Sequence, residues 1–123
     1  MTRVTKVIGY PKLKKLILDR NPITEIEPAA FRDCSDLESL SINNIQLPNY
    51  AGDLKFLRAC PNLEELRMSA CFTEKDLADL SGFPDLFKMR RFVMRDVGLI
   101  HTTDLHFKMP LLESLDLQGN RIF

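Results

Sequence analysis

The 123-residue chain has no excess of charge of either sign, because 17 basic and 17 acidic residues cancel. It therefore lacks the global field that would attract nucleic acid or an anionic membrane surface. It also lacks a run of the roughly 18 apolar residues that a membrane-spanning helix needs. These absences exclude a membrane-inserted segment and argue against a nucleic-acid-binding protein.

Sequence features that would assign a cellular compartment are missing too. Residues 1–10 lack the apolar core of roughly 7–15 residues found in a secretory signal peptide. None of the six asparagines begins an Asn-x-Ser/Thr glycosylation site. We therefore expect either an intracellular protein or a section of a longer secreted one, and the localisation stays open.

Motifs of catalytic or metal chemistry are not found. The chain has no Gly-x-Ser-x-Gly motif, no phosphate-binding glycine loop and no paired catalytic carboxylates, and its five glycines are scattered. The spacing of His101 and His106 suits neither a helix turn nor a zinc ribbon, so we interpret both as surface residues. We predict no metal, no cofactor and no enzymatic activity; the rival hypothesis is an enzyme that uses Cys71 or His101.

A motif of apolar residues recurs along the chain. Residues 13–23 have the pattern Leu-x-x-Leu-x-Leu-x-x-Asn-x-Ile, and related motifs begin at Leu37, Leu63, Met89 and Leu112. The intervals between first positions are 24, 26, 26 and 23 residues, inside or near the period of about 20–29 residues that leucine-rich repeats show. Because five motifs in phase do not arise by chance, the chain resembles the leucine-rich repeat family from residue 13 to its end.

The resemblance implies an α/β fold, a leucine-rich repeat solenoid. About five short parallel strands would line a concave face, and short helical or irregular return segments would form the convex face. Within each motif the fourth and sixth positions, such as Leu16 and Leu18, alternate with period 2, so both point from one face of a strand into the core. The returns have two styles: residues 23–31 are typical of extracellular repeats, whereas residues 53–60 and 73–80 have the helical spacing of intracellular ones.

The repeat boundaries predict two regions. Residues 1–12 are interpreted as the tail of a preceding repeat, and residues 13–123 as repeats that start near 13, 37, 63, 89 and 112. Solenoids need polar terminal caps for solubility, and neither end of this chain shows one. We therefore expect a fragment, or an uncapped array that relies on a partner chain.

The resemblance implies an asparagine at the ninth motif position, whose buried side chain satisfies backbone groups of the turn. Asn21 and Asn120 fit, and Cys71 is a weaker substitute. Isoleucine and valine cannot hydrogen-bond to backbone groups, so Ile45 and Val97 predict locally irregular turns.

The three cysteines are an odd count, which argues against a closed disulfide framework. Cys34 and Cys60 each lie three residues before the first leucine of a motif, so they stack on adjacent repeats. We interpret them as core residues, and their redox state stays open because a disulfide between them is geometrically conceivable.

The solvent side of the strands is where leucine-rich repeat proteins usually bind. The positions after each first leucine predict lateral ion pairs, with Lys14 beside Glu38, and with Arg90 and Arg91 between acidic residues of the neighbouring strands. Solvent-facing positions further along the strands hold Arg67 and Arg95. Neither has an acidic residue at the equivalent position of the adjacent motifs, and the exception is Asp116, which lies beyond Val93. The candidate partner-binding residues are Arg67, Arg95, Asp116, Asp19, Asn43 and Arg91.

The sequence thus predicts a protein–protein interaction module that binds a partner protein through its concave face. The first return also suits a fragment of a receptor ectodomain, whereas residues 59–66 suit the substrate-recognition part of a cytosolic ubiquitin-ligase adaptor. A structural spacer in a larger assembly is the third alternative. The identity of the partner and the oligomeric state stay open.

Overall fold

The computed structural model describes residues 3–4, 10–47, 55–72, 83–98 and 108–120. The elements, numbered in chain order, are β1 (Arg3–Val4), β2 (Lys15–Ile17), β3 (Glu25–Ile26), β4 (Ser39–Ser41), a 3-10 helix (Lys55–Ala59), β5 (Glu65–Arg67), β6 (Arg91–Val93) and β7 (Ser114–Asp116). Five strands form a parallel sheet in the order β2-β4-β5-β6-β7, and β1 pairs with β3 in a second parallel sheet. Sequential strands that pair in parallel, joined by returns, make a solenoid.

The register of the five-stranded sheet follows the repeat motif. Leu16, Leu40, Leu66, Phe92 and Leu115 are direct partners across the sheet, and each occupies the fourth position of its motif. Each of these five residues is the central residue of its three-residue strand. The predicted leucine-rich repeat solenoid with five parallel strands is therefore confirmed.

The core lies between the five-stranded sheet and the return segments. Two aromatic pairs contribute to it, with ring centroids 5.3 Å apart for Phe31 and Phe56 and 5.5 Å apart for Phe83 and Phe92. Tilted pairs at such distances are favourable beyond the apolar area that they bury. Phe83 and Phe31 belong to returns, so these contacts tie the convex side to the sheet and to the neighbouring repeat.

All three cysteines are buried in this core. The Cys71 thiol donates a hydrogen bond to the carbonyl oxygen of Met68 at 3.0 Å, which is the role that asparagine has at this position. Burial raises the pKa of Cys60 to about 12 and also raises the pKa of Cys71. A buried thiol with a raised pKa forms little nucleophilic thiolate, so Cys71 is poorly suited to the catalytic role of the rival hypothesis.

Short elements lie in the described returns, among them the 3-10 helix and the strands β1 and β3. The helical spacing of residues 53–60 gives a 3-10 helix that buries Phe56 and Leu57. In the first return, β3 pairs with β1, a contact that the motif does not predict. No helix among the described residues has the length and apolar character needed to cross a lipid bilayer. Residues 73–80, His101 and His106 lie outside the described residues.

The eighth motif position adopts a left-handed backbone in all five repeats. The φ angles are 61° at Arg20, 58° at Asn44, 50° at Ala70, 52° at Asp96 and 78° at Gly119. The turn at Ile45 is as regular as those of the first, third and fifth repeats, so the irregularity expected there is not found. At Val97 it is found, because a bend at residues 96–97 replaces the hydrogen-bonded turn and Gly98 is a second left-handed residue, with a φ angle of 74°.

Hydrogen bonds between neighbouring repeats also hold the turn. The Asn44 N–H donates to the Ser69 carbonyl at 2.9 Å, and the equivalent bond is present in the other repeats that have a following repeat. In repeat four the Asn120 side-chain nitrogen donates to the Met94 carbonyl at 2.8 Å, which is the kind of bond that a ninth-position asparagine makes within its own repeat. Ile45 and Val97 contribute burial instead. The turn thus depends on stacking as well as on its own ninth residue.

Replacing Ala70 with glycine is expected to stabilise the chain. A left-handed conformation costs a residue that has a Cβ about 1–2 kcal/mol, and the larger unfolded-state entropy of glycine offsets about 0.5–1 kcal/mol of that gain. We expect a net increase of about 0.5 kcal/mol in the free energy of unfolding, measured by urea denaturation. Ala59→Gly, in the 3-10 helix, is the matched control and should lower stability; a loss for both would contradict the strain at Ala70.

Candidate functional site

The solvent-facing side of the five-stranded sheet, which we call the concave face, is built from the residues that flank the buried central row. Because side chains alternate along a strand, the first and third residues of each strand face away from the core. These residues are Lys15, Ile17, Ser39, Ser41, Glu65, Arg67, Arg91, Val93, Ser114 and Asp116. The surface is mainly polar, with Ile17 as an exposed apolar side chain at one edge.

The predicted lateral ion pairs are present along one side of this face. Lys14 lies 3.8 Å from Glu38, and Arg90 lies 3.4 Å from Glu64 and 2.8 Å from Glu113. These side chains are between two-fifths and two-thirds exposed, so each pair contributes only about 0–1 kcal/mol. These ion pairs align neighbouring strands, and most of the charge on their side chains cancels within the pairs.

Glu65 lies between two arginines at the centre of the concave face. Its Oε1 accepts a hydrogen bond from the Nε of Arg67 at 3.0 Å, and its Oε2 accepts one from the Nε of Arg91 at 3.1 Å. The hydrogen bond from Arg67, supported by Arg91, holds the pKa of the Glu65 carboxyl below its ordinary value. We call these three residues the Glu65 cluster.

The contact between Arg67 and Glu65 corrects an expectation from the sequence. On the neighbouring strands the register partners of Arg67 are Ser41 and Val93, so these strands offer it no acidic partner in register. Its partner lies instead two residues earlier on the same strand, where the period of 2 puts both side chains on the same face. That spacing is the feature that could have identified the pair.

Arg95 and Asp116 form a second ion pair at the adjacent edge of the sheet. The Nε of Arg95 donates to Asp116 Oδ2 at 2.7 Å, and a terminal nitrogen of the same guanidinium contacts the same oxygen. The Arg95 hydrogen bond, followed by one from the Gln118 N–H, lowers the pKa of Asp116. Arg95 thus has fewer donors available for a partner than the sequence suggested.

A row of side-chain hydrogen bonds runs across the sheet just past the strands. Asp19 Oδ1 accepts from the Ser41 hydroxyl at 2.7 Å and from the Asn43 N–H at 2.8 Å. Asn43 Oδ1 accepts from the Ser69 N–H at 2.8 Å, and the Ser69 hydroxyl accepts from the Arg95 N–H at 3.1 Å. We call this row the polar ladder; it stops at Arg95, whose side chain has no acceptor.

The polar ladder was not predicted from the sequence, although one feature of the sequence indicates it. Asp19, Asn43 and Ser69 occupy the seventh position of three successive motifs, and each has a short side chain with an oxygen acceptor. Two of the candidate binding residues, Asp19 and Asn43, therefore support the stacking of the repeats.

Comparison with known proteins gives the family. The sequence model of the family described as leucine rich repeat matches residues 11–72, which is 62 of the 123 residues. The chain belongs to the leucine-rich repeat family. A search of the curated proteins found no match. Leucine-rich repeat proteins are typically non-enzymatic, and membership of this family supports a protein-interaction module in general.

The leucine-rich repeats carry a shallow hollow beside the Glu65 cluster. It has a volume of about 320 Å³, and its lining includes Arg67, Val93, Arg95 and Asp116. Asn43 lines it from the polar ladder. The structure thus brings four of the six candidate residues together around one hollow, while Arg91 lies in the Glu65 cluster and Asp19 lies in the ladder.

Proposed function

We propose that this chain binds a partner protein through the concave face, with Arg67 as the main anchor. Arg67 lies on β5, the central strand of the sheet, and its side chain is 49% exposed. Its Nε is held by Glu65, while its two terminal nitrogens have no hydrogen-bond partner within the part of the chain that the structure describes. This exposed, oriented guanidinium with unused donors is the observation that carries the proposal.

The surroundings of Arg67 suit a protein ligand. A guanidinium offers two parallel N–H groups to a carboxylate or another oxyanion, and arginines near the centre of an interface are frequent sources of binding energy. The adjoining hollow combines the apolar Val93 with the Arg95–Asp116 ion pair, so a ligand there meets both apolar and charged contacts. Arg91 adds a second guanidinium on the other side of Glu65.

The competing explanation is that these charges only align the strands. It predicts that substitutions on the concave face change stability and leave binding unaltered. Exposed ion pairs contribute little to stability, so the two explanations differ in the property that a substitution alters.

Replacing Arg67 with alanine is expected to weaken partner binding at least about tenfold, as at a central interface arginine. Arg95→Ala should weaken partner binding less, because Arg95 already donates hydrogen bonds to Asp116. The partner is first isolated with the wild-type chain and identified, and its affinity for each purified variant is then measured by calorimetry. The free energy of unfolding should stay within about 0.5 kcal/mol of wild type, as for other exposed substitutions.

The matched control is Arg58→Ala. Arg58 is an exposed arginine of the 3-10 helix, in a return and away from the sheet, and its removal should leave affinity unchanged. Wild-type affinity in Arg67→Ala, or an equal loss in Arg58→Ala, would show that the concave face is not the binding surface.

A further inference from the structure

We propose that the Glu65 cluster binds a tetrahedral oxyanion, a phosphoryl or sulfuryl group carried by a side chain of the partner protein. This inference rests on the proposed function, since it names the chemical group that the concave face takes from its partner. The argument uses the number of unused donors, the local charge and the space around the cluster.

The donors of the cluster exceed what a single carboxylate can use. Arg67 and Arg91 each contact Glu65 through Nε alone. Their four terminal nitrogens have no partner among the described residues, and both guanidiniums lie within hydrogen-bond distance of the same carboxylate. A carboxylate is satisfied by the two parallel N–H groups of one arginine, whereas a phosphate monoester has three terminal oxygens and can bridge two arginines.

The charge of the cluster favours an anion. Two guanidiniums face one carboxylate, which leaves one net positive charge, and the lowered pKa of Glu65 keeps that carboxylate ionised near neutral pH. The Arg95–Asp116 pair is neutral in total. On the other side Arg90 lies between Glu64 and Glu113, and this group keeps one net negative charge. The positive charge is therefore local to the Glu65 cluster, at the guanidiniums of Arg67 and Arg91.

Small side chains leave the cluster open on both sides. Ser39 is the register partner of Glu65, and Ser114 is the register partner of Arg91. Neither hydroxyl has a hydrogen-bond partner among the described residues, so both are available to donate to a bound oxyanion. The Arg67 and Arg91 side chains are 49% and 61% exposed, and a group on a partner side chain can reach them.

The test is a titration of the intact chain with phenyl phosphate, phenyl sulfate and benzoate at pH 7.5, followed by NMR at the Nε–H signals of the arginines. Phenyl phosphate and phenyl sulfate should shift the Arg67 and Arg91 signals at roughly tenfold lower concentration than benzoate, because both arginines can share one tetrahedral anion. Tighter binding of phosphate, which is close to dianionic at this pH, assigns a phosphorylated partner, and tighter binding of sulfate a sulfated one. Benzoate binding as tightly as both, or shifts of equal size at Arg58, would overturn the proposal.

Arg67→Lys and Arg91→Lys separate geometry from charge. Lysine keeps the positive charge and loses the planar fork, so each variant should lose most of the preference for phenyl phosphate over benzoate. Arg58→Lys is the control and should keep it, and a preference preserved in both concave variants would refute the shared site. If the probes fail while Arg67→Ala still weakens partner binding, this inference is wrong and the proposed function stands.

Discussion

Replacing Leu66 with alanine is expected to lower the free energy of unfolding by about 2–5 kcal/mol, the range for a buried leucine whose surroundings collapse only partly. Leu66 is fully buried at the centre of β5. Its register partners Leu40 and Phe92 are fully buried as well. With strands hydrogen-bonded on both sides, the backbone cannot close the cavity, so the effect should lie in the upper part of this range.

Leu115→Ala is the matched control for this prediction. Leu115 occupies the same row of the sheet on the edge strand β7, but it is 43% exposed. Its truncation removes less buried area and leaves no closed cavity, so we expect a loss of only about 1 kcal/mol. Urea denaturation of both variants measures the difference, and equal losses would contradict the burial gradient along the row.

Replacing Asp19 with alanine is expected to lower the free energy of unfolding by about 2 kcal/mol, since hydrogen bonds to a charged acceptor are lost and their donors are left unsatisfied. Asp19 is the first member of the polar ladder. The Ser41 hydroxyl that it accepts from belongs to a residue that is only 7% exposed, so water cannot readily replace the carboxylate. The second donor is the Asn43 N–H, which lies past the end of β4.

The polar ladder makes this prediction specific to one amide. Hydrogen exchange at the Asn43 N–H should accelerate in Asp19→Ala, while exchange within β5 stays close to that of wild type. Asp19→Asn keeps an acceptor oxygen and should lose less than half as much stability. Asp36→Ala, at an exposed aspartate, should change stability by no more than about 0.5 kcal/mol; a similar loss there would mean that removal of charge, and not the ladder, is responsible.

The polar ladder also bears on the candidate binding residues. Asp19 and Asn43 are predicted binding residues because they occupy solvent-facing positions of the concave side in the sequence motif. Their side chains instead bond to the next repeat, so their substitution disturbs the sheet edge as well as any bound partner. Substituting Arg67 tests binding with less effect on the stacking of the repeats, because its terminal nitrogens contact no neighbouring repeat among the described residues.

The repeat, the five strands of the larger sheet and the apolar residues that these strands bury could be predicted from the sequence. Leu16, Leu40 and Leu66 recur at one motif position, and a periodic apolar pattern has only one way to bury every member, which is to stack its units. The lateral pairs of Arg90 and Arg91 were predictable for the same reason, since the motif sets which residues lie side by side.

Contacts between returns were not predictable in this way. The pairing of β1 with β3 and the ring contact of Phe31 with Phe56 depend on how far each return reaches around the core. The turn at Ile45 stays regular although that at Val97 does not, and the hydrogen bond from Asn120 to the Met94 carbonyl comes from the adjacent repeat. A motif describes one repeat, whereas these contacts join parts of different repeats.

By itself the sequence determined the solenoid, because the period of its apolar residues permits no other packing. Only the tertiary structure decided which charged side chains are already engaged. From the sequence, Arg67 and Arg95 are both predicted to be solvent-facing arginines of the concave face. In the folded chain Arg95 is committed to Asp116, while Arg67 keeps its terminal nitrogens available. The physical reason is that a side chain's hydrogen-bond partners depend on distances of a few ångströms, which only the packed repeats establish.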